Sequence, residues 1–195
     1  MSRFLIIAAL VLAAGWYLMP ARATYQMDRV ATIAPVQIPT HMPPFQVRGY
    51  TLTPVADFVV NARLLSKSIY TFDKGADLVP VDYALGWLSM ANPIILKDID
   101  ISQSGRFYHW YAAELPIDRS EIETESANMH LIPATDAIEK QLKAMPEGSL
   151  VRLSGQLVNI LETKSGWTWM TSTTRGDTGF GACEVIYVTE VVKGF

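Results

Sequence analysis

The chain has 195 residues, of which half are hydrophobic and 18% are charged, and its formal net charge is −3. This length accommodates one domain of roughly 100–150 residues together with additional segments. Without residues 1–23 the chain carries 14 basic and 19 acidic residues, a net charge of −5, and no run of lysine or arginine. This mildly acidic body argues against a nucleic-acid partner, which requires a basic surface.

The cysteine content and the lack of metal-binding motifs argue against disulfides and metal sites. The only cysteine is Cys183, so no disulfide forms within the chain and no zinc site can use several cysteines. The sequence also lacks HExxH, HxH and Asp-rich calcium motifs. We therefore predict no metal and no cofactor, and we interpret the acidic residues at 118–125 as a solvated helix face.

Residues 1–23 predict a segment that inserts into a membrane. Arg3 precedes an uncharged apolar run at 4–19, which would span about 24 Å as a helix, slightly less than a hydrocarbon core of about 30 Å. Trp16 and Tyr17 lie near its end, where an interfacial aromatic belt would place them. The length and the aromatic end favour an uncleaved transmembrane helix in the bacterial inner membrane, with the rest of the chain in the periplasm or outside.

A removable signal peptide is the alternative interpretation of this segment. Ala21-Arg22-Ala23 fits a small-x-small cleavage site, and Pro20 would end the helix just before it. Cleavage after Ala23 would release the body into the periplasm. Both interpretations export residues 24–195.

The body divides into a Pro-rich linker at 24–48 and an exported domain at 49–195. Four prolines and the lack of a helical period make 24–48 an extended stalk or an arm along the domain. Residues 50–53 and 58–65 are predicted as strands, although 56–66 equally fits a helix.

Two local patterns in the middle of the domain are clearer. Asn92-Pro93 predicts an N-cap and the first position of a short helix that reaches Ile99. The sequence GRFYHWYA at 105–112 is the strongest strand signal in the chain.

The remaining pattern predicts two helices followed by strands. Asp118 and Glu121 form a capping pair at 118–124, and 135–145 is amphipathic. Strands are predicted at 150–161, 167–173 and 183–192, with Gly155 at a bulge or barrel bend. We therefore predict a single small α+β domain with two or three short helices and a mostly antiparallel sheet, partly barrel-like in the C-terminal third.

Four motifs occur in order along the body. They are VDYALGW at 81–87, ISQSGRFY at 101–108, SANMHLIP at 126–133, and TRGDTG at 174–179 leading to ACE at 182–184. Together they cover about a quarter of the body and resemble an uncharacterised family of bacterial membrane-anchored envelope proteins. The resemblance implies an anchor, a Pro-containing linker and one exported domain, but no catalytic role, since the family has no established activity. Leu88-Ser89-Met90 departs from the Gly-Pro-Met that follows the family's first motif.

His130 is the candidate for catalysis. A base must reach a nucleophile, here Ser126 or Cys183, and needs a partner that orients it, here Asp177. The apolar neighbours of His130 favour a structural histidine. Cys183 begins an apolar strand and is expected to be a buried small hydrophobe, although Arg175 nearby permits a reactive thiol.

Aromatic residues and a Gly-rich loop are the candidates for ligand binding. Trp87, Trp110, Trp167 and Trp169 could line a groove, but tryptophans more often belong to a core. The loop at 171–181, with Arg175, could present backbone donors to an anion or peptide, and a plain hairpin connection is favoured.

The leading functional hypothesis is a membrane-tethered, non-enzymatic envelope domain that acts through protein contacts. The alternatives are an envelope hydrolase built on His130 with Asp177 and Cys183 or Ser126, and a small-ligand-binding domain.

Overall fold

The computed structural model describes residues 30–175 and 183–195. The predicted anchor at 4–19, the cleavage point after Ala23 and the candidate Asp177 therefore lie outside the described residues. Within the two described ranges, no helix is long and apolar enough to cross a membrane.

The described chain is dominated by β-strands. The strands are β1 (Val36–Pro39), β2 (Phe45–Val47), β3 (Tyr50–Ile69), β4 (Val81–Gly86), β5 (Asp100–Ser104), β6 (Phe107–Tyr111), β7 (Ser126–Pro133), β8 (Leu150–Glu162), β9 (Thr168–Trp169) and β10 (Glu184–Lys193). The helices are α1 (Pro93–Leu96), α2 (Arg119–Thr124) and α3 (Asp136–Ala144), and a 3₁₀ turn covers Leu88–Ala91.

Five of these strands pair in a circuit that closes on itself. β3 pairs with β4, β4 with β7, β7 with β10, β10 with β8, and β8 again with β3. Only β7 and β10 run parallel. The mostly antiparallel, partly closed sheet is as predicted, but closure uses β3, β4 and β7 and is not confined to the C-terminal third.

β3 closes the barrel because it is long and contains two bulges. One of its edges follows β8 from Tyr50 to Arg63, while the other edge is shared in turn by β2, β1 and β4. Register shifts at 54–56 and 64–66 insert one extra residue each. Such bulges bend a strand and increase its twist, which lets the sheet curl.

Gly155 is required where β8 crosses β10. A Cβ atom there would lie 1.9 Å from the carbonyl oxygen of Tyr187. The register between these strands shifts at 188–190, opposite Gly155 and Ser154. The bulge predicted near Gly155 is therefore confirmed, although the extra residue belongs to β10.

The interior of the barrel is apolar because alternate residues of each strand point inward. β3 contributes Phe58, Val60 and Leu64, and β4 contributes Tyr83 and Leu85. All of these side chains are buried, and each large aliphatic or aromatic group contributes about 1.5–3 kcal/mol through burial. The interior cluster also includes Leu142 of α3 and Met145 just after it.

Several local predictions can be compared with the structure. Asn92 accepts a hydrogen bond from the Ile94 amide at 3.0 Å, which confirms the cap, although the helix ends at Leu96 rather than Ile99. The strands at 105–112, 150–161 and 183–192 and the helix at 135–145 are confirmed within a few residues. The helical alternative for 56–66 is wrong because this segment belongs to β3. The strand predicted at 167–173 is reduced to β9.

Gly155→Ala should destabilise the domain by about 2 kcal/mol or more, because the added methyl group collides with backbone that cannot move cheaply. Urea unfolding of the variant and the wild type measures this loss. Ser154→Ala is the matched control, since its exposed hydroxyl donates only to Glu190, and it should change stability by less than about 0.5 kcal/mol. Equal stability of both variants would contradict the close approach at Gly155.

Candidate functional site

Polar residues of two neighbouring strands face outward from the barrel at the same level. Asp82 on β4 is the register partner of His130 on β7. Their sequence neighbours Tyr83 and Met129 point into the barrel interior, so alternation places both polar side chains on the outer face. Even so, Asp82 is fully buried and His130 is 2% exposed.

The side chain of Arg106, in the turn of the β5–β6 hairpin, reaches this face. Ser104 pairs with Phe107, so the hairpin turns through Gly105 and Arg106, which have φ values of +57° and +66°. Positive φ at both central residues is typical of a type I′ turn, which suits the twist of the flanking strands. Arg106 holds this left-handed conformation although it has a side chain, a strain of about 1–2 kcal/mol.

Arg106 connects the hairpin to two carboxylates. Its guanidinium donates to both carboxylate oxygens of Asp73, at 2.5 and 3.0 Å, and to Asp82 Oδ1 at 3.3 Å. It also donates to the carbonyl oxygen of Val79 at 3.1 Å. The planar fork of arginine suits such multiple contacts, whereas lysine offers a single point charge.

Further hydrogen bonds hold the hairpin against β7. Gln103 donates to Asn128 at 2.6 Å, and Asn128 donates to the carbonyl oxygen of Arg106 at 3.0 Å. The hydroxyl groups of Tyr108 and Ser126 lie 3.1 Å apart. Three of the four sequence motifs therefore meet at this contact, and their polar residues bind each other.

The contact between His130 and Asp82 is close but imperfect. His130 Nδ1 lies 2.9 Å from Asp82 Oδ1, yet Nδ1 makes no hydrogen bond with acceptable angles in the described part of the chain. Asp82 Oδ2 and the Tyr70 hydroxyl oxygen are likewise buried without a hydrogen-bond partner there. Burial raises the pKa of Tyr70 to about 12, and the charge of Asp82 adds to the rise, so Tyr70 stays protonated near neutral pH.

Aromatic side chains cover the polar residues from the solvent side. The Trp169 ring packs on the His130 ring at 4.3 Å between centroids and on Trp167 at 5.7 Å. The Arg106 guanidinium lies 4.0 Å from the Tyr70 ring centroid and 5.6 Å from that of Trp169.

The loop that follows β3 joins this covering. Lys74 Nζ lies 5.1 Å from the Trp167 ring centroid. Phe72, between Tyr70 and Lys74, is 99% exposed. We name Tyr70, Phe72, Trp167 and Trp169 the aromatic surface.

The candidate catalytic residues are only partly brought together. Ser126 and His130 share strand β7, and four residues of extended chain separate their Cα atoms by about 13 Å. Ser126 Oγ instead donates to the Ile122 carbonyl oxygen at 2.5 Å. Cys183 is half-buried just before β10, two residues from Val185, the register partner of His130. Asp177 lies outside the described residues.

The candidate ligand-binding residues lie in three different places. Trp87 is buried in the barrel interior, as the core interpretation of the tryptophans predicts. Trp110 packs in a separate cluster under the hairpin, with the Arg119 guanidinium 5.2 Å from its ring centroid. Arg175 pairs with the buried Glu184 and donates to Gln37 Oε1 at 3.1 Å.

Asp73, Asp82 and Arg106 belong to the site although no role was predicted for them from the sequence. A signal for Asp82 was present, since it is a charged residue between Val81 and Tyr83 in a motif that is otherwise apolar. Arg106 follows Gly105 in a hairpin turn, but its pairing with Asp82 depends on the fold. The local sequence around these residues therefore predicts the hairpin, but it does not predict that the three side chains meet.

We name Asp73, Asp82, Arg106 and His130 the clasp, because their contacts join the hairpin to the barrel and resemble a structural connection more than a reaction centre. Its charges pair with each other, and its histidine is covered by Trp169. No group of three or more potential metal ligands is found in residues 30–175 and 183–195. A catalytic base would need a substrate atom within hydrogen-bond reach, and here the hairpin and Trp169 occupy that side of the strands.

Comparisons with known proteins add no assignment: no family model, curated protein or solved structure matches the chain.

Asp82→Asn should lower the free energy of unfolding by about 3 kcal/mol, because it removes one partner of a buried ion pair. Urea denaturation at pH 7 gives the loss. Asp57→Asn is the control, since this exposed carboxylate accepts one bond, from Gln156 at 3.2 Å, and its loss should cost under about 0.5 kcal/mol. An Asp82→Asn variant that is as stable as the wild type would contradict the clasp.

Proposed function

We propose that this chain is a membrane-tethered domain of the bacterial envelope that acts by binding another protein. The predicted helix at 4–19 would hold it at the inner membrane, and the barrel would lie in the periplasm or outside. The mildly acidic body agrees with a protein partner better than with a nucleic acid.

The observation that carries this proposal is the exposure of Phe72. A phenylalanine that is 99% exposed contributes nothing to the stability of the isolated domain. Its neighbours Tyr70 and Lys74 are held in place by contacts with Arg106 and Trp167. A contiguous apolar patch on an ordered surface is typical of an interaction site, and tryptophan, tyrosine and arginine are enriched among binding hot spots.

Two further exposed apolar residues are sequence neighbours of the aromatic surface. Met170 follows Trp169 and is 58% exposed, and Ile69 precedes Tyr70. Methionine suits such a surface because its flexible thioether adapts to a partner. The clasp beneath would hold the aromatic rings in one arrangement, which reduces the ordering cost of binding.

The barrel itself supports this location by analogy. We assign its strands, in chain order β3, β4, β7, β8 and β10, to a five-stranded Greek-key barrel of the OB type, with α3 between the third and fourth strands. Barrels of this type bind oligonucleotides and oligosaccharides on the second and third strands and on the loops after the first and fourth strands, so the analogy bears on the location of the surface and not on the class of partner. The aromatic surface comes from those two loops and lies over the second and third strands, β4 and β7. The likeness is one of fold.

A photo-crosslinking residue at position 72 should form a discrete adduct of higher mass in cells that express the full chain. The same residue at Ile94, which is exposed on α1, is the control and should give no such adduct. With the crosslinker moved to Met170, Phe72→Asp should reduce the adduct about tenfold, as expected when a hot-spot aromatic is lost. Equal adducts from positions 72 and 94 would contradict the proposed surface.

The tether is tested separately from the surface. Alkaline phosphatase fused after Phe195 should be active in intact cells and should sediment with membranes. Deletion of 4–19 should abolish both properties, whereas substitution of Ala23 should leave them unchanged if the helix is not cleaved. The intact mass of the membrane-bound chain distinguishes an anchor from a signal peptide removed after Ala23.

A second candidate function is a thiol hydrolase. The approach of Asp82 to His130 favours it, since the base would have an orienting carboxylate, and Cys183 lies near the same level of the sheet. A hydrolase activity that is lost in both His130→Ala and Cys183→Ser, with unchanged thermal unfolding, would establish it. That result would also overturn the binding-only proposal.

A further inference from the structure

Strand β1 lies at the edge of the sheet and faces a common hazard of β-proteins. It pairs with β3 through Val36↔Val59 and Ile38↔Asp57. Among residues 30–175 and 183–195, no second strand pairs with it. An edge with free backbone groups can add a strand from another molecule, so natural proteins protect such edges.

A hydrogen bond just beyond β1 fixes which backbone groups face outward. The Thr40 amide donates to the Val55 carbonyl oxygen at 3.3 Å. In an antiparallel pair the backbone groups alternate between the partner and the open side. Residues 36 and 38 therefore direct their amide groups to β3, while residues 35, 37 and 39 direct theirs away.

Two of these three outward positions are proline. Pro35 and Pro39 have no amide hydrogen, so Gln37 keeps the one donor on this edge between 35 and 39. Proline in a sheet is confined to edges because it cannot donate to a ladder. At alternate positions it removes the donors that an added strand would need.

The side chains of β1 make this protection necessary. Val36 and Ile38 are 49% and 60% exposed. Exposed β-branched residues on an open edge favour pairing between chains. Gln37 meanwhile donates to the Thr173 carbonyl oxygen at 3.1 Å and accepts from Arg175 at 3.1 Å, which holds β1 in place.

We propose that β1 is a guard strand that prevents a second copy of this chain from adding to the barrel edge. It covers the stretch of β3 between the segments paired with β2 and β4, and between residues 35 and 39 its outer edge presents a single amide donor, that of Gln37. This inference is independent of the aromatic surface and goes beyond the proposed function.

The test restores the missing donors in the full-length chain. Pro35→Val with Pro39→Val should make the protein self-associate about tenfold or more tightly than the wild type, since each added amide can donate to a neighbouring copy. Sedimentation velocity in one non-ionic detergent over a range of concentrations measures this. Pro43→Val with Pro44→Val is the matched control, because these prolines lie between β1 and β2, and it should associate like the wild type.

Two further measurements identify the interface. Hydrogen exchange at 35–39 should slow in the associated variant, and adding Ile38→Lys should return it to the wild-type state, because a charge on the edge opposes pairing. If the double variant unfolds at a lower temperature than the wild type, Pro35→Val and Pro39→Val are measured singly and should each strengthen association. Wild-type-like sedimentation of the folded variants, or equal association of the control, would overturn the proposal.

Discussion

Closure of the barrel by β3 is the constraint on which the rest of the structure depends. One edge of this strand pairs with β8 over its first fourteen residues, and the other is shared among β2, β1 and β4. The bulges bend β3, so that one strand turns from one neighbour to the next while most of its length stays paired. If β3 were straight, β4 and β8 would diverge and the apolar interior would open to water.

Closure has a chemical consequence on the outside of the barrel. The outer faces of β4 and β7 lie side by side, and the chain between them returns as the β5–β6 hairpin. Buried charges such as Asp82 are costly unless paired, and Arg106 provides the pairing from the hairpin tip. The same guanidinium contacts the half-buried rings of Tyr70 and Trp169, so Arg106 links the buried polar contacts on the outer face of the barrel to the aromatic surface.

Local features of this fold could be predicted from the sequence, and pairings between distant segments could not. The caps at Asn92 and Asp118 depend on neighbouring residues, and both are found as the sequence indicates. Alternation also identified the strand that became β8. The length of β3 was missed because Pro54 and the two bulges interrupt its period, so that part of it resembled a helix.

The candidate site shows the same difference between local features, which could be predicted, and distant pairings, which could not. The motifs contain most of its polar residues, but Arg106, the partner of Asp82, is 24 residues away, and Asp82, the neighbour of His130, lies on the adjacent strand β4. Alternation indicates which side of a strand a residue faces only when the register is known. His130 therefore seemed to need Asp177 as its partner, while the barrel placed Asp82 beside it. The fully exposed Phe72 had no sequence signal, because exposure depends on what the surrounding loops leave uncovered.

The pairing of β3 with β8 also affects the order in which the strands can pair while the chain is being synthesised. Arg63 pairs with Leu150 and Tyr50 with Glu162, so the sequence separation is around 90 to 110 residues, and such distant contacts slow folding. During synthesis β3 emerges long before its main partner exists. Until then β4 can pair with the C-terminal part of β3, whereas the N-terminal part at 50–59 has, within the described chain, only β1 and β2 as strand partners. These two short strands would shield the nascent strand from other chains before the barrel can close.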